Sequence, residues 1–216
     1  MPDFDISEAD RLLKTTKQVR QRLDLSRAVP IELLLECIDV SNHAPVGGNV
    51  QANQWMIVTD NARKAAIAEF YAAVGRPYLA PADTTHPKVK KIVDSTMYLI
   101  DHLAEVPALV IPMRKGRPEG LVAGYYGSVL PAVWSFQLAA RVRGLGSCWT
   151  TFHLQHEAEV ADILGIPDDM TQVALLPVAY YTGDSFVPAK RRDARTITHL
   201  DSWGNTLDEN EIDTLS

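Results

Sequence analysis

The chain has 216 residues, 46% of them hydrophobic, and a formal net charge of -6. These values suffice for a sizeable core and give no general attraction to nucleic acid or to an anionic membrane. No apolar run approaches the roughly 20 residues of a membrane span. The acidic start MPDFDISEAD lacks the apolar core of a secretory signal, and Cys37 and Cys148 have no metal-type spacing. We therefore predict a cytoplasmic protein with a single domain over residues 1–216.

The first half of the chain predicts helices separated by one buried strand. An acidic stretch predicts a short helix over 7–14, and Pro30 is suited to the first residue of a second helix. WMIVTD then predicts a buried strand that ends at Asp60. This aspartate would cap a third helix, which Gly75 is expected to end. Three prolines predict a surface excursion over 76–87.

The second half predicts a helix around 88–105 and then the proline-bounded strand PALVIPM. The apolar stretch over 120–143 predicts a long helix that Pro131 either kinks or starts. GLGSCWTTF predicts a short strand, QHEAEVADILGI a helix ending near Gly165, and TQVALLPVAYYTG the last strand. The pattern as a whole predicts an α+β fold, with helices around a mainly antiparallel or mixed sheet of about four to five strands.

Several common catalytic and phosphate-binding motifs are missing or misplaced. Neither a GxxxxGK(S/T) loop nor a GxGxxG turn opens a helix after a strand, and GLGS at 144–147 follows a helix instead. Ser128 lacks the GxSxG frame of a hydrolase nucleophile. His153 and His156 could share a metal, but no third ligand stands at a recognised spacing, so a polar helix start is the better interpretation. Cys148 is interpreted as a small buried side chain rather than a nucleophile.

Two basic clusters stand far apart in the sequence. One includes Lys17 and Arg20, and the other consists of Lys190, Arg191 and Arg192. If the fold brings them together, they would form a site for a doubly charged phosphate, since arginine can donate two parallel hydrogen bonds to such a group. Each cluster alone is more often a solvated surface, so both interpretations stay open.

The loop HAPVGGNVQANQW lies between a predicted helix and a predicted strand and carries almost no charge. Gly47 and Gly48 lack Cβ atoms, so a flat ring could approach the backbone closely. Asn49 and Gln51 offer donors and acceptors to the edge of such a ring. A structural turn would also explain the two glycines.

Four segments, in order, resemble the nitroreductase family of FMN-dependent oxidoreductases over roughly residues 14–195. TTKQVRQRLDLSRAVP is similar to the family's opening Arg-Arg-Ser-Val-Arg segment, and APVGGNVQ to its Ala-Pro-Ser loop with a following Asn-x-Gln. AARVRGLGSCW is similar to the family's Gly-Leu-Gly segment, and LLPVAYYTGDSFVPAKRR to its final strand and basic turn. The chain departs from the family at Lys17, Gln18 and Val46, where arginine, serine and serine are usual.

This resemblance implies an intertwined homodimer with two FMN molecules at the subunit interface, each contacted by both chains. The tail from about 195–216 would extend over the partner subunit, and the apolar helix within 121–142 would be buried against it. By position, the residues that would bind FMN are Lys17, Gln18, Arg20, Pro45, Val46, Gly47, Asn49, Gln51, Trp149, Thr150, Thr151, Lys190 and Arg191. No residue is assigned as a catalytic acid or base, and no metal site is expected.

The resemblance further implies an enzyme that transfers hydride from NADH or NADPH through FMN to an electron-poor small molecule, such as a nitroaromatic or a quinone. The cofactor would carry the chemistry, while the protein supplies orientation and hydrogen bonds. Relatives by fold use flavin for reductive dehalogenation, for substrate dehydrogenation or for binding without turnover, and these remain alternatives. No dinucleotide-binding fingerprint decides between NADH and NADPH.

Overall fold

A computed structural model describes residues 4–184 and 186–206 of the chain. It divides into two compact units, Met1–Phe186 and Val187–Ser216, and each is described by itself. The α-helices of the larger unit are α1 (Ile6–Thr15), α2 (Ile31–Asn42), α3 (Asn61–Leu79), α4 (Pro87–His102), α5 (Val122–Gly127), α6 (Leu130–Val142) and α7 (Glu157–Leu164). Its strands are β1 (Asn53–Val58), β2 (Ala108–Lys115), β3 (Leu145–Ser147), β4 (Met170–Gln172) and β5 (Leu176–Tyr180).

The five strands form one antiparallel sheet that is organised around β2. Strand β1 pairs along one edge of β2, and β4 and β5 pair one after the other along the opposite edge. Strand β3 pairs with the free edge of β5. The predicted α+β fold with a sheet of four to five strands is therefore confirmed.

Side chains of β2 alternate between two hydrophobic clusters, one on each face of the sheet, because successive residues of a strand point in opposite directions. Leu109, Ile111 and Met113 join a cluster with residues of α3, α4 and α7. Ala108 and Val110 join a second cluster with residues of α2 and α6. Helices therefore cover both faces of the sheet, which explains why almost every residue of β2 is buried.

The predicted last strand is in fact two strands, β4 and β5. The hydrogen bonds of residues 173–175, which connect the two strands, explain the interruption. The N–H of Val173 donates to the carbonyl of Pro112 at 3.0 Å. Leu175 instead exchanges two hydrogen bonds with Thr150, at 2.8 and 3.1 Å. The chain thus leaves β2 for a short distance and pairs with the segment that follows β3. This detour anchors Thr150 to the sheet.

The prediction that Gly75 ends a helix is wrong, because α3 continues to Leu79. A Cβ atom on Gly75 would lie 2.7 Å from Cδ1 of Ile100 and 2.9 Å from the Phe152 ring. The glycine is needed where α3 packs closely against α4 and the segment before α7, rather than as a helix stop. The surface excursion predicted over 76–87 shrinks to the turn between α3 and α4.

Other predicted helix boundaries are confirmed. The Asp60 carboxylate accepts a hydrogen bond from the Arg63 N–H at 2.9 Å and caps α3. Gly165 ends α7 in the left-handed conformation, with φ of 67°. Pro131 stands in the first turn of α6, so it marks the true start of that helix. The buried face of α6 packs against α2 and the sheet of the same chain, which explains part of its apolar character, and its burial against a second copy stays a prediction.

The smaller unit contains a short 3-10 helix, Ala194–Ile197, followed by a turn. In this turn Trp203 stacks on His199 with ring centroids 4.2 Å apart. The last part of the predicted tail, 207–216, lies outside the described residues. Within the described residues of either unit, no helix combines the length and the hydrophobicity that a membrane span requires.

Candidate functional site

The segment that follows α1 lies against β3 and extends the sheet. Gln18 forms a parallel bridge with Ser147, and the N–H of Val19 donates to the Ser147 carbonyl at 2.8 Å. A Cβ on Gly146 would lie 3.1 Å from the Val19 side chain, so this approach depends on the missing side chain. The backbone pairing fixes the register of residues 17–22 relative to β3.

The side chain of Gln18 joins this segment to the residues that follow β3. Its Oε1 accepts hydrogen bonds from the N–H of Trp149 and, at 3.4 Å, from Nε2 of Gln137. Gln137 also donates to Oγ of Ser147 at 2.9 Å. Among the described residues, no protein group accepts a hydrogen bond from Nε2 of Gln18. This nitrogen is therefore a free donor for a ligand.

Lys17 and Arg20 are half-buried and differ from the other cations nearby. Lys14 pairs with Asp10 at 2.6 Å, and Arg22 donates to the carbonyl of Thr182 at 2.6 Å. Lys17 and Arg20 have no carboxylate within 4.0 Å in the part of the chain that the structure describes. Two partly desolvated cations without a counter-charge favour the binding of an anion.

These cations belong to a cleft of about 530 Å³, which we call the N-terminal cleft. Its walls are residues 17–22, one face of α4 and Phe186. Five of the lining residues are cationic and none is acidic, namely Lys17, Arg20, Arg22, Lys88 and Lys91. Its size lies in the range of about 300–1,000 Å³ that is usual for small-molecule sites. The cleft is thus suited to a ligand with negative charge.

Thr150 is held from two sides. Its backbone pairs with Leu175, and its Oγ1 lies 2.8 Å from the hydroxyl of Tyr71 on α3. Tyr71 is buried, and burial raises the pKa of its hydroxyl to about 12, so the phenol stays neutral. Tyr71 is not predictable from the sequence as a site residue, because its position in a helical pattern looks like that of an ordinary core residue. Thr151 is exposed and Trp149 is half-buried.

The predicted loop has a second cleft, the loop cleft, of about 660 Å³. Asn42, His43, Ala44, Pro45, Val46, Asn49, Gln51, Asn53 and Gln54 line it. Gly48 and Asn49 both adopt left-handed backbone conformations, with φ of 60° and 56°. Because asparagine is one of the few residues that tolerate this region, the pair explains part of the loop's composition.

Gly47 has a structural role within its own chain. Its N–H donates to Oγ of Ser128 at 3.1 Å, and the same oxygen lies 3.1 Å from where a Cβ would stand. Ser128 in turn donates to the carbonyl of Gly124 at 2.9 Å. This arrangement explains Ser128 as a packing residue. Because the Gly47 N–H already donates to Ser128, it is not available to a ligand.

The structure groups only some of the predicted site residues. Lys17, Gln18 and Arg20 share the N-terminal cleft, and Gln18 connects them to Trp149. No described cleft is lined by both this segment and the loop at 45–51. Lys190 and Arg191 are exposed residues of the smaller unit, and their meeting with Lys17 and Arg20 stays a prediction.

The two histidines of the H-x-x-H pair lie in different environments. His153 is fully buried, so its interpretation as part of a polar helix start is wrong, and burial lowers its pKa to about 4. His156 contacts Glu159 at 3.0 Å. Within the described residues, no group of three or more metal-ligating side chains comes together. Cys148 is buried as predicted, and burial raises the pKa of its thiol to about 11, which makes it a poor nucleophile.

Fold and site together define a class of protein: an antiparallel sheet covered by helices on both faces, with a cationic cleft built on the segment after the first helix. A sequence model of the nitroreductase family matches residues 14–180, and the chain belongs to this family. None of the curated proteins compared with the chain matches it.

Solved structures of the same fold include three informative examples. Iodotyrosine deiodinase bound to FMN and 3-iodo-L-tyrosine is 24% identical, with a TM-score of 0.66 over 84% of this chain and 94% of that chain. A nitroreductase-like protein from Bacillus cereus is 20% identical, with a TM-score of 0.65 over 94% and 100%. A point variant of the FMN- and NADPH-dependent nitroreductase NfnB from sphigopyxis sp. strain HMH is 18% identical, with a TM-score of 0.69 over 93% and 100%. At these identities the similarity concerns the fold.

Proposed function

We propose that this protein is an FMN-dependent oxidoreductase that takes electrons from NADH or NADPH and passes them to an electron-poor small molecule by a ping-pong sequence. Membership of the nitroreductase family supports the class of reaction. The observation that carries the proposal is the N-terminal cleft, which is lined by Gln18 with its free amide donor and by Lys17 and Arg20, neither of which has a carboxylate partner among the described residues.

The residues present fit FMN. Its phosphate is a dianion, and the segment 17–22 supplies the cationic side chains of Lys17, Arg20 and Arg22 to a cleft with no acidic lining residue. Its ring system has polar edges that need donors, and Nε2 of Gln18 is one such donor. Lys17 and Arg20 would neutralise negative charge on the cofactor, with Lys190 and Arg191 added to the phosphate end.

When bound, FMN would supply the hydride and electron transfer, which no side chain of this chain can perform alone. The chain's own residues would bind and orient. Because the Tyr71 hydroxyl can donate to Oγ1 of Thr150, the threonine hydroxyl is free to donate to a ligand at the end of β3. Trp149 and Thr151 would line the same side. No side chain is proposed as a catalytic acid or base.

The proposal includes a homodimer in which the loop cleft of one protomer completes the N-terminal cleft of its partner. The loop would contribute Pro45, Val46, Asn49 and Gln51, and Gly47 through its small size alone. Exposed apolar side chains at Leu35 on α2 and Val142 on α6 support burial against a second copy, since these two helices pack together. Light scattering coupled to size exclusion would give the mass of a dimer; a monomer that still binds FMN tightly would contradict this arrangement.

The visible spectrum of the purified protein tests the proposed function. A flavin spectrum that bleaches on anaerobic addition of NADH or NADPH, and returns when a nitroaromatic or quinone is added, is the expected result. A protein that is colourless after incubation with FMN and removal of the free FMN would refute the proposal. Bleaching without return would favour a flavin protein with another acceptor, such as a halogenated substrate.

Variants at Arg20 test the placement of the cofactor. Arg20→Lys keeps the charge but loses the planar fork, so FMN should bind more weakly, and Arg20→Ala should weaken it further. Arg11→Ala is the matched control, because Arg11 lies on α1 and pairs with Glu8. Equilibrium dialysis of FMN measures both. Full FMN occupancy in Arg20→Ala would show that this residue is not part of the site.

A further inference from the structure

We propose that Lys88 and Lys91, on the face of α4 that lines the N-terminal cleft, bind an anionic group of the small-molecule substrate. This inference rests on the proposed function and adds the charge of the substrate to it. The shared chemistry is a phosphate or a carboxylate carried next to an apolar ring. It has two sources: the additional phosphate that distinguishes NADPH from NADH, or an acidic substituent on the electron acceptor.

The helix presents a defined stripe to the cleft. Lys88, Lys91, Ile92 and Ser95 line it, and their spacing of three, four and seven residues places them on one face of α4. The helix is anchored in the core by buried residues that include Leu99. The orientation of the stripe is therefore set by packing and does not depend on a ligand.

The lysines of this stripe lack the partners that a neighbouring lysine has. Lys90 lies on another face of α4 and pairs with Asp94 at 2.7 Å. Neither Lys88 nor Lys91 has a carboxylate within 4.0 Å in the described part of the chain. The acidic protein thus exposes two unneutralised cations in a cleft that is also lined by Lys17, Arg20 and Arg22. Such an arrangement attracts anionic ligands from solution.

The position of Ile92 narrows the kind of ligand. Its side chain is 61% exposed and stands beside Lys91 on the same stripe. A ligand with a flat apolar ring could cover Ile92 while its acidic group contacts the lysines. Lys17 and Arg20 are half-buried and therefore less exposed than Lys88 and Lys91, and the proposed cofactor accounts for them. Lys88 and Lys91 remain for a second, exchangeable molecule.

The test compares the double variant Lys88→Gln/Lys91→Gln with the wild type and with Lys90→Gln as matched control. Two probe pairs differ in charge: 4-nitrobenzoate against 4-nitrobenzamide as acceptor, and NADPH against NADH as donor. For each pair the ratio of kcat/KM values is measured in wild type and variant. Comparing this ratio between wild type and variant removes the difference in intrinsic reactivity between the two probes. Binding of 4-nitrobenzoate to the oxidised protein, followed by perturbation of the flavin spectrum, gives a readout without turnover.

We expect the double variant to lose about tenfold in kcat/KM for the charged member of one pair, relative to its neutral or less charged counterpart. The pair that responds identifies the source of the anion. FMN affinity should stay within about twofold of wild type, and Lys90→Gln should change neither ratio. If both ratios stay unchanged, or if FMN affinity falls with them, the lysines do not select the substrate and the inference is wrong. A wild type that binds no FMN would instead refute the proposed function and, with it, this inference.

Discussion

Replacing His153 by leucine should reduce the sensitivity of this fold to acid. The side chain is fully buried in the segment Phe152–His156, and neither ring nitrogen has a hydrogen-bond partner among the described residues. Burial lowers its pKa from 6.5 to about 4. The unfolded chain therefore binds a proton at His153 near pH 6.5, whereas the folded chain resists protonation until about pH 4. Stability from this group is present above pH 6.5 and is lost as the pH falls towards 4.

The size of the effect follows from the difference between the two pKa values. It corresponds to about 3 kcal/mol in total, of which about 2 kcal/mol is lost between pH 7.5 and pH 5.0. His153→Leu removes the titrating group and two unpaired polar atoms at similar volume. The variant should thus be about 1 kcal/mol more stable than wild type at pH 7.5 and about 3 kcal/mol more stable at pH 5.0.

Urea unfolding at both pH values, followed by tryptophan fluorescence and circular dichroism, measures these differences. His156→Gln is the control in the same short helix, because His156 is half-buried and contacts Glu159. It should lose as much stability on acidification as wild type. If His153→Leu and wild type lose stability in parallel between pH 7.5 and 5.0, the reasoning from the buried histidine is refuted.

Two further substitutions test packing around the candidate site. Gly75→Ala places a methyl group 2.7 Å from Cδ1 of Ile100, so it should lower the free energy of unfolding by about 1 kcal/mol despite the better helix propensity of alanine. Gly127→Ala meets no atom within 4 Å and should not be destabilising; equal losses in the two variants would contradict the packing argument. Tyr71→Phe removes the hydrogen bond to Thr150 and should cost about 1 kcal/mol in urea unfolding, as well as shifting the flavin spectrum. A Tyr71→Phe variant with an unchanged spectrum would show that Thr150 is not adjacent to the cofactor.

Local signals predicted those features of the fold that local chemistry determines. The predicted cap at Asp60 and the predicted end of a helix near Gly165 are confirmed, because both depend on a few neighbouring backbone groups. The role of Gly75 is not predictable from local signals, because it depends on contacts with α4 and Phe152, which are distant in sequence. The complete burial of His153 is likewise not predictable, since nothing in its sequence neighbourhood indicates it.

The candidate site was predictable only in part. A resemblance of motifs predicts Lys17, Gln18 and Arg20 as site residues, and the structure places them in one cleft. The sequence does not predict a binding role for Lys88 and Lys91, because a lysine-rich helix is usually a solvated surface. Only the packing of α4 shows that these two lysines face the cleft while Lys90 does not.

The pairing of residues 17–24 with the distant strands has a consequence for the order in which the molecule forms during synthesis. The bridge between Gln18 and Ser147 closes a long stretch of chain, and the hydrogen bond from the Asp24 N–H to the Tyr180 carbonyl, at 2.7 Å, closes a still longer one. A nascent chain cannot make either contact until most of it has left the ribosome. Residues 17–24 are synthesised well before β3 and β5 and must therefore wait unpaired for these strands, so the N-terminal cleft cannot take shape before both strands are available.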